Sequence, residues 1–143
     1  MKRILLAAML AVLGATAMAQ TPSLPQNRSP AGAKVYFIAP RDGATVGREV
    51  VVRFGLAGMG VAPAGVAKEQ TGHHHLLVDV TDLPLAGQPI PKDEKHLHFG
   101  GGQTETVLHL APGTHTLQLE LGDASHVPFD PPVVSKRITI HVK

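Results

Sequence analysis

The sequence contains no cysteine and no tryptophan. Without cysteine there is no disulfide, no lipid attachment at a cysteine and no thiolate for catalysis or for a blue-copper centre. Aromatic residues make up only 3% of the chain, one tyrosine and four phenylalanines, so the core must be aliphatic and a base-stacking platform for nucleic acid is excluded. Charge is scarce as well, at 17%. Thirteen basic residues face eleven acidic ones, and two of the basic ones, Lys2 and Arg3, stand at the extreme start, so the rest of the chain balances eleven against eleven. Electrostatic capture of nucleic acid or of an acidic membrane is therefore not the expectation. Long helices are disfavoured by 12 prolines and 15 glycines among 143 residues, a composition that suits short strands joined by turns.

The start of the chain has the layout of a secretory signal. Lys2 and Arg3 precede an apolar run over 4–12, and Ala17-Met18-Ala19 forms a small-residue cleavage site. The apolar run is shorter than the ~20 residues that a membrane-spanning helix needs. We therefore expect a signal peptide over 1–19, with a soluble, exported, periplasmic product. Residues 20–33 hold Pro22, Pro25 and Pro30 without apolar periodicity and are expected to form an extended linker outside the core. The remainder, 34–143, is one domain's worth of chain, long enough to fold without a metal.

Seven stretches read as strands: 34–39, 46–56, 73–80, 96–99, 104–110, 114–121 and 133–142. Alternation is clearest where Leu117, Leu119 and Leu121 share one face while Thr116, Gln118 and Glu120 share the other. Asp42-Gly43, Gly100-Gly101-Gly102 and Ala111-Pro112-Gly113 supply turns. The expected fold is an all-β, immunoglobulin-like antiparallel sandwich. Two long connections, 57–72 and 81–95, border the histidine-rich strands, and loops of that length are often functional.

Nine histidines, all beyond residue 19, are the chemical feature of the chain. His73 and His75 form one His-x-His pair and His96 and His98 another, and alternate residues on a strand project from one face about 6.6 Å apart. Leu76, Val78, Leu97 and Phe99 are expected to face the core, leaving both pairs pointing away from it. If the two strands are neighbours, the four imidazoles can converge on one ion. Imidazole favours Cu(II), Zn(II) or Ni(II), and the spacing does not choose between them. His126 and Met59 are uncertain additional ligands. Asp79, Asp93, Glu94 or Glu105 could orient the rings. The competing interpretation is a row of ordinary polar residues on a solvent face. His74, in phase with Leu76 and Val78, reads as a core-edge residue, His115, on the face of Leu117 and Leu119, as a space-filling one, and His109 and His141 as ordinary strand residues. No organic cofactor is expected: the glycine clusters lack the strand-to-helix setting of a phosphate-binding loop, and Ser125-His126 lies in no nucleophile elbow.

Across 72–79, 96–100, 102–106 and 112–119, continuing through Gly122-Asp123, His126-Val127-Pro128 and 131–135, the chain resembles the bacterial domain of unknown function 4399 (DUF4399) family. The resemblance implies a small exported protein without an established activity. A weaker similarity links the His-x-His strand to copper-zinc superoxide dismutases, but the cysteine pair and longer ligand array of that family are missing, so dismutase activity is not expected. The leading expectation is an exported metal-binding sandwich serving storage, delivery or tolerance of Cu(II) or Zn(II), with His73, His75, His96 and His98 as ligands. The alternative is a non-catalytic cell-envelope module that binds a protein or glycan partner. An enzyme would have to be metal-dependent. Because a ligating imidazole must be neutral, metal binding is expected to weaken below about pH 6.5.

Overall fold

The computed structural model describes residues 21–143, so the expected signal peptide over 1–19 lies outside the described residues. Nine strands follow one another: β1 (Lys34–Ala39), β2 (Thr45–Val46), β3 (Glu49–Ala57), β4 (Gly60–Val61), β5 (Thr71–Val78), β6 (His96–His98), β7 (Glu105–His109), β8 (Gly113–Gly122) and β9 (Ile138–Val142). No helix occurs among the described residues, and none there could cross a membrane.

The strands form two sheets, one with the order β1-β3-β7 and the other with the order β2-β9-β8-β5-β4, in which β6 also pairs with β5. This is an all-β sandwich. Most pairs are antiparallel, while the two-residue strands β2 and β4 pair in parallel with β9 and β5. β2 and β3 divide the expected stretch 46–56 between them, and β4 falls within the expected connection 57–72.

The alternation seen in the sequence sets the packing. Leu117, Leu119 and Leu121 of β8 lie opposite Val78, Leu76 and His74 of β5, and with Ile138 and Ile140 of β9 they meet Val35, Val50, Val52, Phe54 and Leu108 from the smaller sheet. Leu76, Leu117, Leu119 and Leu121 are fully buried. Each such leucine contributes about 1.5–3 kcal/mol relative to an exposed position.

Two strands depart at one end from the sequence pattern. β5 stops at Val78 because Asp79 adopts a left-handed backbone (φ 54°), where its carboxylate accepts hydrogen bonds from the Thr116 amide and the His115 ring. β9 begins only at Ile138. Upstream of it, residues 133–135 touch β8 through an isolated Glu120–Val134 bridge, and the Ser135 hydroxyl accepts the Leu119 amide hydrogen that a ladder carbonyl would otherwise take.

Residues 21–33 are extended and mostly exposed. They are nevertheless fastened to the domain at several points. Leu24 N donates to Gly87 O, Asp130 N to Asn27 O and Ser29 N to Asp130 O, and Gln26 Nε2 donates to Pro128 O. This strap runs beside the turn that follows β8.

Candidate metal centre

His73 and His75 leave β5 on the face opposite Leu76, and the register β8-β5-β6 determines what surrounds them. His75 lies between Glu120 of β8 and His98 of β6, and His73 lies opposite Gly122. Beyond Gly122 the chain turns tightly, with His126 N donating to Asp123 O, and this returns the His126 ring to the same place. One nitrogen from each of His73, His75, His98 and His126 lies within 4.8 Å of the other three. The six pairs of these rings include five with centroids 4.7–5.2 Å apart and one, His75–His126, at 6.0 Å.

Two glycines make room for this packing. A Cβ at Gly100 would strike the His98 ring, and one at Gly122 would strike the His75 ring. A side chain at either position would push a ring out of the cluster.

The cluster is sealed more tightly than an ordinary polar face. His73 and His75 are each 1% exposed, and His98 and His126 are half-buried. Only one hydrogen bond links the rings, between His73 Nε2 and His126 Nδ1 at 3.1 Å. His73 Nδ1, His75 Nδ1 and His98 Nε2 are buried with no hydrogen-bond partner. A buried polar atom without a partner costs about 1–3 kcal/mol.

Burial pushes the pKa of His73 from 6.5 to about 4, assisted by repulsion from His126 and His98. Burial likewise pushes His75 to about 3, with further repulsion from His73, His98 and His126, and it lowers His98. His73 and His75 are thus held in the neutral, ligating form well into the acid range. Proton competition should accordingly set in lower than the pH of about 6.5 expected for free imidazole.

Four imidazoles, with no thiolate or carboxylate among them, could hold a metal ion. Metal–nitrogen bonds near 2.0–2.1 Å place tetrahedral ligand atoms about 3.3 Å apart. The 3.1 Å between His73 Nε2 and His126 Nδ1 is already close to that spacing, and no pair of the four ligand nitrogens is more than 4.8 Å apart. Such a donor set suits zinc, copper, nickel or iron rather than calcium or magnesium, which require oxygen ligands.

The structure unites His73, His75 and His98 of the expected set, but His96 stands outside the cluster. Its Nδ1 lies 2.9 Å from Asp93 Oδ1, which also accepts the His96 and Lys95 amide hydrogens. This tight turn before β6 claims the ring, and across the ladder His96 faces Leu77 rather than a second histidine. His126 completes the group in its place. Met59 is half-buried and packs against the hydrophobic core.

Sequence reasoning missed Glu120. It opposes His75 on the same face and is only 1% exposed, with Oε2 unpartnered beside a cavity of about 100 Å³ bounded in part by Leu83, Pro84, Pro128 and Phe129. Burial raises its pKa from 4.5 to about 7. The alternation on β8 marked this position as solvent-facing, and no local signal reveals that distant loops cover it. His74 occupies the opposite face of β5, fully buried against Phe54 with ring centroids 5.1 Å apart.

A model of the family described as "Domain of unknown function (DUF4399)" matches residues 52–143. The chain belongs to that family, and the matched span includes all four clustered histidines. No curated protein and no solved structure matches the chain significantly.

Proposed function

We propose that the protein binds one transition-metal ion, Cu(II) or Zn(II), through His73, His75, His98 and His126, and that it works in the periplasm in storage, delivery or tolerance of that metal. The observation that carries this reading is the convergence of four imidazoles, two of them fully buried, with three ring nitrogens buried and unpartnered. A folded chain has little reason to gather four such rings away from water unless something satisfies their lone pairs. The basic and apolar opening of the sequence with its Ala17-Met18-Ala19 site supports export.

Elemental analysis together with Cu(II) and Zn(II) titration tests the reading on the wild type and two single variants. One ion per chain is expected, with affinity reduced at least about 100-fold by His98→Ala and changed less than about twofold by His96→Ala. Absence of stoichiometric binding would sink the metal reading and leave capture of an envelope partner as the leading idea. Loss of binding in His96→Ala with retention in His98→Ala would move the site elsewhere.

A further inference from the structure

The contacts of the strap point to a second layer of the same site, an inference that rests on the metal reading above. His126 is the one clustered histidine outside a β-ladder, and its backbone is left-handed, with φ 67°. A non-glycine residue keeps that conformation only where its surroundings fix it. Ile90 N holds the His126 carbonyl, and a second fixing group is Asp123, which is 6% exposed. Its Oδ1 accepts the amide hydrogens of Ser125 at 2.8 Å and Val127 at 3.0 Å, the two neighbours of His126. Its backbone closes the same turn, with His126 N donating to Asp123 O and Asp123 N donating to Val127 O.

The other carboxylate oxygen, Oδ2, accepts a hydrogen bond from Asn27 Nδ2 at 2.8 Å. Asn27 is in turn held by its own carbonyl, which accepts from Asp130 N at 2.9 Å. A carboxylate pinned at both oxygens has one orientation, whereas one pinned at a single oxygen can rotate. We propose that Asn27 is a positioning residue for the metal site: through Asp123 it fixes the 123–127 turn and so aims the His126 ring at His73, His75 and His98. The strap is then part of the binding unit, although Asn27 lies outside the residues that the family model matches.

The test uses the full chain with Asn27→Asp, which keeps the shape but replaces the donor with a charge facing Asp123, and Asn27→Ala, which only removes the donor. Both should weaken Cu(II) binding about 10-fold, the usual scale for groups that orient a ligand. Both should also move the visible absorption band of the Cu(II) complex toward that of His126→Ala. In the His126→Ala background the same substitutions should change affinity by less than about twofold. In metal-free protein the ring resonances of His126 should shift while those of His115 stay in place. Equal weakening in both backgrounds, or unmoved His126 resonances, would overturn the proposal. A wild type that takes up no metal would overturn the metal reading alone, because the metal-free resonances still decide whether Asn27 positions His126.

Discussion

The two sheets expose very different outer faces. On the smaller sheet, Tyr36, Ile38, Val51 and Val107 remain 43–57% exposed, and Arg53 pairs with Glu105 in the open at 3.2 Å. On the larger sheet, the outward positions of β5 and β8 hold His73, His75, Leu77 and Glu120, all at 1% exposure. The smaller sheet's outer face, a mixture of apolar and charged residues, is wet, whereas these histidines and Glu120 on the larger sheet are dry. Scattered exposed apolar residues are ordinary on a folded protein, whereas a buried polar cluster needs a cause. The difference sets apart the larger sheet's outer face, where the four clustered histidines could hold a metal ion.

The contrast can be strained in order of expected effect. Leu119→Ala, in the shared core, should cost about 2–5 kcal/mol in chemical denaturation. Val107→Ala on the open face should stay within about 0.5 kcal/mol. Comparable losses at the two positions would mean that the smaller sheet's outer face is covered in solution.

A second strain is pH. Burial lowers His73 and His74 to about 4 and His75 to about 3, so the folded chain binds fewer protons than the unfolded one below 6.5. Their share of stability is complete above 6.5 and is lost as pH falls from there toward 4. Glu120, raised from 4.5 to about 7, acts in the opposite sense, its share being present below 4.5 and lost as pH rises through 7. Three groups outweigh one, and the metal-free protein should lose thermal stability between pH 7 and pH 5. Glu120→Gln should stabilise the fold more at pH 8 than at pH 5, by on the order of 1–3 kcal/mol. Equal effects at the two values would show that Glu120 is solvated.

The smallest effect belongs to an exposed pair. Asp79 raises the pKa of His115 through a 2.7 Å hydrogen bond. The stabilisation is present below the unfolded value of 6.5 and disappears as pH rises through the raised one. Asp79→Asn should therefore cost at most about 1 kcal/mol at pH 5.5 and nothing at pH 9, as read by urea denaturation.

Alternation made the sandwich legible. Leu117, Leu119 and Leu121 point inward as their spacing requires, and His73 and His75 share a face for the same reason. The pairing that sets His75 beside His98 was available only as a possibility, since register depends on which strands neighbour each other. His126 was harder to place because no periodicity governs a turn. Its position follows from the left-handed backbone and the Asp123 carboxylate, contacts that local spacing does not specify. His96 shows the converse. Two residues from His98 and on the same side of the strand, it met the spacing rule, yet Asp93 three residues earlier takes its ring.

The separation of 53 positions between His73 and His126 carries a consequence for how the chain comes apart. An ion joined to both would act as a removable crosslink, closing a long loop in the unfolded ensemble that the bare chain leaves open, with His98 dividing that loop in two. Closure of loops this long withdraws conformational freedom from the denatured chain, so a loaded molecule would resist unfolding in the manner of a cysteine-bridged one, although the sequence contains no cysteine. Release of the ion would then restore both the freedom of the chain and its susceptibility to proteases.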